Sequence, residues 1–120
     1  MLIAAIVLAA LVALLHVYFL VLEMFFWTKP LGRKAFGLKA DFAAQSKTLA
    51  ANQGLYNGFL AAGLAWGLVQ DAAAAGRPWL VFFLGCVIVA GVFGAVTVSR
   101  KILYVQAVPA LLALGALLLA

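Results

Sequence analysis

An all-α integral membrane bundle of four transmembrane helices is the fold this sequence predicts, and three observations predict it. Of the 120 residues, 69% are hydrophobic and only 9% are charged, whereas soluble domains carry about 25% charged residues. The mean hydropathy is +1.24. The apolar residues fall into four runs separated by short stretches that hold nearly all the charge, and at about 20 residues per span the chain has room for at most four or five helices and no soluble domain. Low hydrophobicity with high charge, the mark of disorder, is absent, and one cysteine makes no intramolecular disulfide.

The first span covers about residues 2–27 and ends at Thr28-Lys29-Pro30, where proline stops helix propagation. It is too long for a signal peptide, has no basic leading region, and is followed by no small-residue cleavage motif. The second span covers about residues 48–69 and the third about residues 79–99, with Gly76-Arg77-Pro78 marking the turn between them. The fourth runs from about 102 to 119 and contains Pro109, which is expected to kink it. The whole chain is thus one transmembrane domain.

The basic residues set the orientation. Lys29, Arg33, Lys34, Lys39 and Lys47 lie in the first connection, residues 28–47, and Arg100 and Lys101 in the third. In a four-span chain these two connections share a side, which the positive-inside rule makes the cytoplasm, so both termini are expected outside in a bacterial inner membrane. No basic face interleaved with aromatics follows a phosphate backbone, which excludes nucleic acid as a partner. Trp27 and Trp79 stand at span ends as depth anchors, with Trp66 near the outer interface. In the first connection Asp41 is placed to cap a short helix that runs on into the second span or lies along the interface, and Phe36, Leu38 and Phe42 are placed to dip into lipid. Arg33 and Lys34 are candidate contacts for anionic headgroups, beside the simpler reading of the connection as a topology determinant.

Polar groups inside the spans carry the functional signal because each is costly in hydrocarbon. Glu23 lies six residues from Lys29, Asn52 and Gln53 five and six from Lys47, Gln106 five from Lys101, and Thr97 three from Arg100. At about 1.5 Å per residue, all sit roughly 5 to 9 Å inside the cytoplasmic boundary. His16 is two turns deeper than Glu23 on the same face, at a level comparable with Asn57. The candidate cluster is therefore His16, Glu23, Asn52, Gln53, Tyr56, Asn57 and Gln106. One reading makes Glu23 a carboxyl that exchanges a proton or a cation. The other pairs it with a basic residue of the connection and makes the amides interhelical glue.

One His, one Cys and three acids leave no metal-ligand spacing, and no cofactor motif is present. Cys86, mid-span and without a basic neighbour, reads as packing. Gly54 with Gly58, Gly63 with Gly67, and Gly91 with Ala95 stand four apart, the spacing that lets helices approach within the bundle or between subunits of a homo-oligomer.

The residues also carry a resemblance. His16-x-Tyr18, Leu22-Glu23-Met24-Phe25 with Trp27, Gly32-Arg33-Lys34 with Phe36-Gly37, and above all the string from Leu49 to Phe59 resemble domain-of-unknown-function family 1304 over essentially the whole chain. Gln106-x-x-Pro109-Ala110 is similar to the family's end. The family pattern carries a small residue, usually Gly, after the span-four glutamine and often a Tyr before Gly94, where this chain has Ala107 and Phe93. The resemblance implies a small four-helix bacterial membrane protein and names no activity.

Two function classes fit. The first is a homo-oligomeric transporter or permease with Glu23 as coupling carboxyl and an unknown small-molecule ligand. The second is a non-transporting membrane binding or accessory protein whose polar cluster holds a lipid headgroup, a quinone or a partner helix. An enzyme is less favoured, since His16 and Glu23 lie about 10 Å apart along the helix.

Overall fold

Pro30 does more than end a helix. The computed structural model, which describes all 120 residues, contains five helices and no strand: α1 (Leu2–Phe25), α2 (Pro30–Phe36), α3 (Ala40–Val69), α4 (Arg77–Thr97) and α5 (Arg100–Leu118). Pro30 opens α2, where its fixed φ and missing N–H suit the first turn. Gly37 closes that helix at φ +66°, a left-handed position that disfavours other residues. The expected connection at 28–47 is thus mostly helical, holding α2 and the first eight residues of α3. Asp41 lies in the first turn of α3 and accepts from the Phe42 N–H at 2.9 Å.

Three helices, α1, α4 and α5, are long and apolar enough to cross a membrane. α3 is the longest at 30 residues, yet Asn52, Gln53 and Asn57 interrupt the apolar run expected at 48–69. Pro109 leaves its mark in α5 as a π segment, Leu103–Ala107, which ends with the Val108 N–H bonded to the Leu103 carbonyl. Proline removes one helical bond and crowds the carbonyl four residues before it, and the wider turn accommodates that crowding.

Two compact units divide the chain: Met1–Leu14 with Leu60–Ala120, and Leu15–Phe59. The first is held by an apolar core. Ala5, Ala9 and Val12 of α1, Leu64 of α3, and Leu80, Leu84 and Val87 of α4 join Ala110, Ala113 and Leu117 of α5 in one buried cluster. Alanines on α1 and α5 and glycines on α3 and α4 bring the helices close. A Cβ added at Gly91 would lie 2.7 Å from the Ala107 backbone nitrogen, and the Phe83 ring fills the space a side chain at Gly63 would need. At one end of this unit Arg77 donates from Nη1 to the Leu117 carbonyl at 2.8 Å, satisfying one of the orphan acceptors of α5.

The second unit packs the C-terminal half of α1 with α2 and the first part of α3. Gly54 and Gly58 face α1, and a Cβ at Gly54 would meet Met24 Cγ at 2.7 Å and Glu23 Cβ at 3.1 Å, while one at Gly58 would meet Leu20 Cδ1 at 2.6 Å. The four-residue glycine spacing in α3 therefore serves packing within the unit. Trp27 ties the corner: its ring lies 5.0 Å from that of Phe36, and its Nε1 donates to Ser46 Oγ at 3.0 Å.

Candidate functional site

α1 is apolar for nearly its whole length, so its two polar interruptions stand out. His16 is 0% exposed and Glu23 is 4% exposed, and these are the polar or charged residues buried in the fold. Seven residues apart, they lie two helical turns from each other on one side of α1. The His16 ring meets the Phe19 ring edge-on at 5.4 Å.

Glu23 owes its surroundings to the glycine face of α3. With Gly54 against its Cβ, the carboxyl lies close to α3, and Asn57 Nδ2 donates to Glu23 Oε1. The partner is a neutral amide on the neighbouring helix, where the structural alternative expects a cation from the connection. Asn57 sits three residues after Gly54 and one before Gly58, which places it on the α1-facing side.

The remaining residues of the expected cluster are distributed differently. Asn52, Gln53 and Tyr56 belong to the same unit but are exposed, because a helical rotation of about 200° separates Asn52 from Gly54. Tyr56 packs edge-on against Phe59 at 5.7 Å. Gln106 lies half-buried in the π segment of α5, within the other unit. Thr97 turns its hydroxyl to its own helix, donating to the Phe93 carbonyl at 2.7 Å. No three His, Cys, Asp or Glu side chains gather as a metal-ligand set.

At the headgroup-facing candidates, Lys34 is exposed and Arg33 is half-buried, its Nε donating weakly to the Leu38 carbonyl at 3.4 Å. Phe36 and Phe42 are exposed beside them, and Leu38 is half-buried. Two features are not among the candidates, and only one of them escapes the sequence altogether. The Ser46 hydroxyl, which accepts from Trp27 and donates to the Phe42 carbonyl at 2.7 Å, carries no sequence signal. The π segment carries one, in Pro109 two residues beyond it.

Together these features define a helical protein with three helices fit to cross a membrane and a buried carboxyl bonded to a half-buried carboxamide of the neighbouring helix. A family model described as a protein of unknown function, domain-of-unknown-function family 1304, matches residues 10–118, and the chain belongs to that family. No curated protein matches the chain. No solved structure matches it either.

Proposed function

We propose that the protein is a four-span inner-membrane protein of bacteria, with α3 as its fourth span, and that it works as a small homo-oligomeric transporter or permease in which Glu23 is the coupling carboxyl. The single observation that carries this reading is the burial of Glu23 against the neutral amide of Asn57. A carboxylate in a low-dielectric interior is costly unless a positive charge offsets it. An amide supplies a hydrogen bond and no charge. The counter-charge then comes from outside the pair, as a proton or a small cation, and exchange of one for the other is the elementary step of coupled transport.

A second reading, a non-transporting binding or accessory protein, is favoured by the outward-facing amides of α3, which suit a docking face better than a transport pathway. Two assays separate the readings. Dicyclohexylcarbodiimide, which reacts with protonated carboxyls in hydrocarbon, is expected to label the reconstituted protein at Glu23 and to leave Glu23→Gln unlabelled. Proteoliposomes holding a pH-sensitive dye under an imposed potassium potential are expected to show proton flux that Glu23→Gln abolishes. Labelling without flux selects the accessory reading; absence of labelling makes Glu23 a structural residue and overturns both uses of it.

A further inference from the structure

Most of the polar side chains of α3 face away from the rest of their unit. Gln45, Leu49, Asn52, Tyr56 and Phe59 recur at alternating intervals of four and three residues, and all five are exposed. That is the spacing of a coiled-coil seam, in which one face of a helix meets another helix along its length. Leu49 is 76%, Tyr56 57% and Phe59 53% exposed. The opposite face, through Ala43, Ala50 and Gly54, is buried, so the seam is what remains for a partner.

Its chemistry suits neither lipid nor water. A lipid-facing stripe is apolar, and a water-facing one is charged. This stripe alternates amides with large apolar and aromatic groups, and no hydrogen bond of the fold engages the Asn52 or Gln53 carboxamide. In hydrocarbon an unpaired amide is costly, and helices satisfy such groups by bonding across to one another.

We infer that the seam of α3 from Leu49 to Phe59 joins two copies of this chain in the membrane, continued by Gln45 at the boundary, with Asn52 at its polar centre. This inference rests on the proposed placement of α3 as a span. The occupant is a second copy because a carboxamide holds both a donor and an acceptor and is its own complement. Two copies inserted with the same orientation and related by a two-fold axis along the membrane normal place their α3 helices parallel, so each Asn52 meets the Asn52 of the other copy at one depth. A single polar residue at such a position also fixes register, since a slip along the seam leaves both amides unpaired. The site of Glu23 and Asn57 lies on the other side of α3, so dimerisation does not cover it further.

Cysteine cross-linking in native-like bilayers tests this. In a Cys86→Ser background, Leu49→Cys and Tyr56→Cys are expected to form disulfide-linked dimers on mild oxidation, while Val89→Cys, exposed on α4, stays monomeric. Asn52→Leu is expected to raise the dimer dissociation constant about tenfold, read by subunit-exchange fluorescence, because interhelical amide bonds are worth roughly that factor in membranes. A membrane-impermeant maleimide applied to Tyr56→Cys separates the two ways of failing. If that thiol reacts as fast as a water-exposed cysteine, α3 is not a span and the underlying reading falls together with this one. If it is shielded and the protein remains monomeric in all variants, or cross-links equally through Val89→Cys, the seam is wrong and the span stands.

Discussion

The two compact units of this chain each take part of α1 and part of α3, and they solve different problems. In Met1–Leu14 with Leu60–Ala120, every buried residue of the core cluster is Ala, Val or Leu, and helices approach until Gly91 touches backbone. In Leu15–Phe59 the same α1 buries His16 and Glu23, and α3 supplies an amide to meet the acid. The difference lies in what each unit does with its glycines. Gly63 and Gly91 make room for a ring and a backbone and give only packing, whereas Gly54 sets α3 close enough for Asn57 to reach a carboxyl. The core cluster of the first unit is wholly apolar, whereas the second unit combines close glycine packing with a buried acid and its amide partner.

Substitutions that attack one unit at a time sharpen this comparison. The largest effect is expected from Gly91→Val. An added Cβ falls 2.7 Å from the backbone of Ala107, which has no rotamer with which to escape, so the variant loses about 3 kcal/mol or more, seen as a large drop in Tm in detergent. Glu23→Leu comes next, at about 1–3 kcal/mol, because it strands the Asn57 amide. Glu23→Gln, which keeps an acceptor for Asn57, should cost less than half as much by the same thermal assay. A double-mutant cycle of Glu23→Leu with Asn57→Ala should return a coupling of about 1 kcal/mol; zero coupling would dissolve the distinction between the two units.

Ser46→Ala is a smaller lesion, about 1 kcal/mol, and shifts the emission of Trp27 as its indole N–H loses an acceptor. Measuring it in a Trp66→Phe, Trp79→Phe background isolates that signal. Gly85→Ala marks the bottom of the scale. Nothing lies within 4 Å of the added methyl, so stability should rise slightly, by about 0.4–1 kcal/mol, as the unfolded chain loses freedom. A large loss there would show that the outer face of α4 is covered by something.

Apolar run length made α1, α4 and α5 legible within two residues at each end, because nothing but a long helix satisfies the backbone of such runs in lipid. It could not show α2, which is seven residues long and carries no periodicity of its own; that α3 starts eight residues before its apolar part is offered by Asp41 as a helix start running on into the second span. At the site, depth counting from the basic residues brought Asn52 and Gln53 to the level of Glu23 but was blind to azimuth. The glycines held that information: Gly54 and Gly58 mark the α1-facing side of α3, Asn57 lies between them, and Asn52 lies opposite. The depth count sets Asn57 level with His16, two turns from Glu23, so the glycines mark the side on which Asn57 lies, while its partner, Glu23, is given by the structure.

The π segment of α5 has a consequence for how that helix presents itself to its surroundings. A turn closed by a bond from Val108 back to Leu103 holds one residue more than an α-turn, so the helix is two rods whose angular phases differ by about the 100° that a single residue contributes. Labelling or substitution patterns read along α5 will therefore keep a regular beat up to Ile102, skip by one position, and resume from Val108. Removing one residue between Leu103 and Ala107 would cancel the skip and turn Arg100 and Lys101 to a different side of the helix while leaving Ala110, Ala113 and Leu117 in the core.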